Sequence, residues 1–157
     1  MIVVFYGKRN SGKTKICREF FGWVKQNLPL RCHYLDSDKL RFVYGLKGFS
    51  IETERTLIDK AMKIAQYEES LNDLVLVSMS FAYEDQRKEF DVKKGILWIY
   101  LTHDENERPS NKKEYQEYQE PMDANSINTS TMTLTESLEE VVKRYKAFCS
   151  TAQFKSK

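Results

Sequence analysis

At 157 residues the chain is long enough for one substantial core, and its make-up is that of a globular protein: 41% apolar, 13% aromatic and 31% charged. A net charge of +2 gives no electrostatic case for nucleic acid or an anionic membrane surface. Three scattered cysteines (Cys17, Cys32, Cys149) and two histidines (His33, His103) lack metal-site spacing. They argue against zinc and make a reduced, cytoplasmic setting the expectation.

The first element is "IVVFYG", a short β-branched and aromatic run ending in glycine, which predicts a buried strand. It is far shorter than the roughly 20 residues a membrane span needs. From Gly12 to about Leu28 the apolar residues Ile16, Phe20, Val24 and Leu28 recur every four positions, with Cys17 and Phe21 beside them. That period predicts a helix with one buried face, ended by Pro29. "RCHYLDSD" reads as a second strand with acids at its C-terminal end. Residues 51–70 read as a helix with Leu57, Ile58, Ala61, Ile64 and Ala65 inward.

"DLVLVSMS" predicts a third buried strand, "YEDQRKEF" a short helix and "GILWIYL" a fourth strand. Residues 103–123 turn polar, with seven acids and three bases from Asp104 to Asp123, and read as a short lid. "TLTE" fits a capping box for a last helix starting near Thr133, and 151–157 reads as a tail. Strands alternating with helices predict one domain over 1–150, with a parallel sheet covered on both faces. Ligands in such folds sit beyond the C-terminal strand ends.

Between the first strand and helix lies "GKRNSGKT": Gly7, four residues, then Gly12-Lys13-Thr14. This spacing is that of a phosphate-binding P-loop, or Walker A motif. Gly7 and Gly12 permit backbone angles that side chains forbid, so that N–H groups of the loop, Asn10 and Ser11 included, converge on phosphate oxygens. Lys13 can reach the β- and γ-phosphates and Thr14 can place its hydroxyl on Mg²⁺, while Lys8 and Arg9 add local charge. An ordinary glycine turn does not account for the Lys-Thr pair. ATP with Mg²⁺ is the expected ligand.

Asp36 and Asp38 flank Ser37 at the second strand's end. In an extended segment residues two apart point the same way, so the pair could hold Mg²⁺ through water or accept a proton from a hydroxyl. "DSD" also suits a helix cap or an Asx turn. The third strand ends in Ser78 and Ser80 and lacks the terminal Asp of motor ATPases and GTPases, and no Asn-Lys-x-Asp follows. This favours a small-molecule kinase, in which the acid comes from another strand.

The run "LDSDKLRFVYGLKGFS" resembles the segment "LDGDN-x-R…GL…GFS" of adenylylsulfate kinases, which use MgATP to phosphorylate the 3′-hydroxyl of adenosine 5′-phosphosulfate (APS). "LVLVSMS", "KEYQEYQEP" and "INTSTMTLTESLEEVV" resemble further family segments in the same order, covering nearly the whole chain at low identity. The resemblance implies a P-loop NTPase-type three-layer α/β/α fold with a parallel central sheet and a short lid. It implies that Asp36 engages the acceptor hydroxyl and Mg²⁺, that Asp38 supports it, and that Lys13 is catalytic. Arg41 and Arg55, fourteen residues apart as the family's two substrate arginines are, would hold the substrate's anionic end. Phe49 and Tyr115 would sandwich its adenine, with Lys113 beside them.

There are departures. Ile58 replaces the family's asparagine, "SFAY" replaces "SPFR", and "DENERPSNKKEYQEY" is a shortened lid in which only Arg108, Lys112, Lys113 and Tyr115 could replace the family's residues. A related hydroxyl on another nucleotide, a nucleoside or a modified nucleobase would also fit such a pocket. A non-catalytic nucleotide-binding protein is a third reading, which the intact Lys13, Thr14, Asp36 and Asp38 oppose. The expected partner is a small-molecule nucleotide, with neither membrane nor nucleic acid, and a homodimer is left open.

Overall fold

The computed structural model describes residues 1–91, 95–104, 106, 118–122 and 124–153. Five strands form an all-parallel sheet in the order β2-β3-β1-β4-β5. In chain order the elements are β1 (Ile2–Tyr6), α1 (Lys13–Asn27), β2 (Cys32–Asp36), α2 (Ser37–Val43) and α3 (Ile51–Glu69). They continue with β3 (Leu74–Ser78), α4 (Glu84–Asp91), β4 (Ile96–Thr102), β5 (Ile127–Asn128) and α5 (Leu134–Gln153). Among the described residues, no helix is long and apolar enough to cross a membrane.

The continuous apolar run of β1 follows from burial on both faces. Ile2, Val4 and Tyr6 point into one core with Leu57, Ile58, Ala61, Met62 and Ala65 of α3 and Phe90 of α4. Val3 and Phe5 point into the other, with Ile16, Cys17, Phe20 and Val24 of α1 and Val141 and Tyr145 of α5. The expected three layers therefore form, with α1 and α5 on one face and α3 and α4 on the other. Each such buried aliphatic side chain contributes about 1.5–3 kcal/mol relative to exposure. The capping box at α5 closes in both directions: Glu136 Oε2 accepts from the Thr133 N–H at 2.7 Å, and Thr133 Oγ1 accepts from the Glu136 N–H at 3.2 Å.

Three local features differ from the sequence expectation. The chain does not stay extended after Asp36: it turns at once into α2, with Asp36 as N-cap accepting from the Asp38 and Lys39 N–H groups. Asp36 and Asp38 therefore do not point the same way along a strand. The two-residue β5 extends the sheet beyond β4 and carries too short an apolar signal to be read in advance. Helix α5 continues to Gln153, past the expected boundary at 150, and residues 154–157 lie outside the described residues. Most of the lid does too, but its returning end, 118–120, docks beside β3. The Gln119 N–H donates to Ala82 O at 2.9 Å, and Tyr118 Oη donates to Ser80 O at 3.1 Å.

Candidate active site

Strand β1 lies at the centre, with β3 on one side and β4 on the other, so the crevice at its C-terminal end is where the strand order diverges. The glycine loop fills this end. Gly7 has φ +149°, and a Cβ there would stand 2.1 Å from the Leu101 carbonyl oxygen of β4, so no side chain fits. Asn10 and Gly12 are also left-handed, at φ 64° and 85°. These angles fold the loop back so that its backbone leads directly into α1, whose N-terminus supplies unpaired N–H groups and the positive dipole end.

Lys13 crosses the loop and donates from Nζ to Lys8 O at 2.5 Å. Burial pulls its pKa down to about 8, against the opposing pull of Asp38 and Glu54. The cation is thus held by one carbonyl and two carboxylate fields in a place where water is scarce. Ser11 is fully buried, and its hydroxyl has no hydrogen-bond partner among the described residues. Lys8 reaches the lid's end, pairing with Glu120 at 2.7 Å.

The carboxylate that β3 lacks is supplied by its neighbour. Asp36 ends β2 in register with Ser78 of β3 and is buried. Its Oδ2 accepts from Tyr34 Oη at 2.7 Å, Thr14 Oγ1 at 3.3 Å and Ser78 Oγ at 3.4 Å, while Oδ1 accepts from the N–H groups of Asp38 and Lys39. The cap, one of the two readings left open for "DSD", and contact with the loop are therefore made by the same side chain. Burial raises the Tyr34 pKa, which keeps its hydroxyl a donor to Asp36. Thr14 and Asp36 form an all-oxygen pair beside the loop, which suits Mg²⁺. Among the described residues, no three His, Cys, Asp or Glu residues converge as metal ligands.

A cavity of about 710 Å³ opens from the loop toward α2 and α3. Arg9, Asn10, Gly12, Lys13, Thr14 and Lys15 line one side, and Ser37, Asp38, Arg41, Phe49, Glu54, Leu57 and Ser80 the other. Asp38, on the first turn of α2, faces this cavity, whereas Asp36 sits behind it. Arg41 and Phe49 come together there: the guanidinium lies 4.6 Å from the ring centroid, and that of Arg9 lies 5.3 Å from the same centroid. Arg55 is not among the lining residues. It is held outside by Asp85, at 2.7 and 3.1 Å, and lies over the Tyr83 ring at 4.3 Å. Tyr115 and Lys113 lie outside the described residues.

Two residues at the site escaped the sequence reading. Glu54, buried in the wall, forms an ion pair with Arg41 and accepts from Ser80 Oγ at 3.2 Å. Its signal was available: Ser50 caps α3, accepting from the Thr53 N–H, and a residue four positions on lies one helical turn further along. Tyr34, on the edge strand, gave no signal, because its value lies in a contact with Asp36 two residues along and with Ser78 forty-four away.

A glycine loop that joins a central parallel strand to a helix, with an acid from the strand two places away meeting its threonine, fits the fold of the P-loop kinases. More particularly, it is the fold of the APS kinases. The APS kinase of Mycobacterium tuberculosis in complex with AMPPNP and APS superposes with a TM-score of 0.78 at 18% identity, over 92% of this chain and 96% of that one. A gluconokinase from Sinorhizobium meliloti superposes at 0.70 and 14% identity, over 99% and 97%. Shikimate kinase from Aquifex aeolicus gives 0.58 at 16%, over 93% and 96%. No protein-family model and no curated protein matches the sequence.

Proposed function

We propose that this chain is a MgATP-dependent phosphotransferase that moves the γ-phosphoryl group of ATP to a hydroxyl of a small-molecule acceptor. One observation carries the reading: Lys13 and Thr14 on the loop and Asp38 and Arg41 on α2 line a single cavity, with Asp36 bonded to Thr14 behind it. The donor phosphates would lie along the N–H groups of the loop, with Lys13 on the β- and γ-phosphates. Mg²⁺, held by Thr14 and by Asp36 through water, would supply charge neutralisation. A cytoplasmic setting, where ATP is abundant, suits the reading.

The geometry favours exchanging the roles first assigned to the two acids. Asp36 already accepts five hydrogen bonds, so it suits orienting Thr14 and the ion rather than taking up a proton. Asp38 faces the cavity and suits orienting the acceptor hydroxyl. In that scheme the acceptor O–H gives its proton to Asp38, its oxygen bonds to the γ-phosphorus, and the bond to the ADP oxygen breaks.

APS is the first acceptor to try, on the sequence resemblance and on the fold shared with the APS kinases. A second reading, another hydroxyl compound, is favoured by Arg55, which is tied to Asp85 outside the cavity. The test is ADP release coupled to consumption of each acceptor, with APS run beside unphosphorylated nucleosides and sugars. Turnover of APS alone supports the first reading and turnover of another hydroxyl the second. Failure to bind a non-hydrolysable ATP analogue sinks both.

A further inference from the structure

We infer that Arg9 is a catalytic residue, a cation carried by the glycine loop itself that stabilises the phosphoryl group during its transfer from nucleotide to acceptor. This rests on the phosphotransferase reading above and adds to it a residue that the loop pattern does not require. The Ser11 N–H donates to Lys8 O at 3.3 Å, which closes a four-residue turn with Arg9 and Asn10 at its crest. Lys13 Nζ donates to the same Lys8 oxygen, so Lys13 sits at the base of the turn that carries Arg9.

From this crest the Arg9 side chain reaches toward the opposite wall. It lines the cavity, and its guanidinium carbon lies 5.3 Å from the ring centroid of Phe49, on the connection between α2 and α3. Arg9 thereby spans the cavity from the loop to the acceptor side. Its charge also reaches Lys13, where it opposes the ammonium form together with burial and against Asp38 and Glu54. A γ-phosphate held by Lys13 would thus meet a second cation on the side that faces the acceptor. Arg41 approaches the same ring from α2 and pairs with Glu54, and Arg55 pairs with Asp85 outside the cavity.

In the transfer the acceptor oxygen bonds to the γ-phosphorus and its proton goes to Asp38. The bond to the ADP oxygen breaks, and its electron pair stays on ADP. Arg9 neither gains nor loses a proton. Its planar fork donates N–H groups to the equatorial oxygens, over which charge is spread in the transition state. Bound ADP has no such oxygens, so the contact acts on the group being transferred rather than on the nucleotide that remains.

The probe is ADP with Mg²⁺, titrated calorimetrically with and without aluminium fluoride, whose planar complex on ADP stands in for the transferring phosphoryl group. The quantity read is the gain in ADP affinity that aluminium fluoride brings. Arg9 is exposed, so its variants should fold as the wild type does. The wild type should gain more than about tenfold, and Arg9→Gln should lose about tenfold or more of that gain. Arg9→Lys, which keeps the charge without the fork, should lose less than Arg9→Gln. A wild type that binds ADP with a smaller gain would overturn the inference. So would a smaller loss in Arg9→Gln, or equal losses in the two variants, which would assign the effect to shape rather than charge. Failure of the wild type to bind ADP at all would instead sink the phosphotransferase reading, and the inference with it.

Discussion

The two sides of the cavity are built by different means. The glycine-loop side, the proposed donor side, is one continuous stretch, Gly7 to Lys15, fixed by its own backbone angles and by the strand and helix it joins. The opposite side, the proposed acceptor side, is assembled from α2, α3 and the segment after β3, and its charges are set by pairs far apart in sequence, such as Arg41 with Glu54 and Ser80 with Glu54. A local motif can keep its chemistry while the rest of the chain diverges. An assembled pocket changes when a single helix register places Glu54, not Arg55, in its wall.

The largest expected effect lies on the donor side. Lys13→Ala removes the lysine that spans the loop, and phosphoryl transfer should fall on the order of 10³-fold, with folding retained. Transfer rates within tenfold of the wild type would mean that the loop is not the donor site. Next comes the backbone. Gly7→Ala drives a methyl group into Leu101 O at a left-handed angle and should cost about 3 kcal/mol in urea unfolding, with loss of nucleotide binding. Gly48→Ala, in open space on the acceptor side at φ +76°, should cost only about 1 kcal/mol. Equal costs would erase the claim that the donor side is the more tightly determined of the two.

The acids sharpen the comparison further. Asp38→Asn should lower kcat by about 10²-fold and leave nucleotide affinity unchanged, as expected for a group that orients the acceptor hydroxyl. Asp36→Asn should instead weaken Mg²⁺-dependent nucleotide binding with little loss of stability, because asparagine caps a helix about as well as aspartate. The reverse pattern, read from kcat, nucleotide affinity and unfolding together, would restore Asp36 to the acceptor.

How much was legible follows the same division. "IVVFYG", the four-residue period of α1, "DLVLVSMS" and "TLTE" are local signals, and each became the element they predict. The glycine loop was legible because its function is written in spacing. The strand end at Asp36 was legible, and the α2 cap stood as one of two open readings, since Asp-Ser-Asp suits a strand end and a helix start equally well. Arg55 was placed by counting from Arg41, yet side-chain direction on α3 is set by the cap at Ser50, and that register turns Arg55 toward Asp85. The Tyr34–Asp36–Ser78 cluster and the lid contacts of Tyr118 and Glu120 depend on which strands and segments become neighbours, which no local pattern records.

The smallest expected effect is a proton. With its pKa near 8 in the free protein and 10.5 as the ordinary value, Lys13 is harder to charge folded than unfolded. Between these values the unfolded chain binds more protons, so this residue's cost to stability is fully present below pH 8 and is relieved as pH rises toward 10.5. Bound phosphates reverse the preference, because their negative charge favours the ammonium form. Nucleotide binding at pH 9 should therefore take up close to one proton, and at pH 7 almost none. Affinity should fall about tenfold per pH unit once Lys13 in the free protein is neutral. Calorimetry in two buffers of different ionisation heat measures the uptake directly. Uptake that survives in Lys13→Gln would place the titrating group elsewhere, and with it the asymmetry between the two sides.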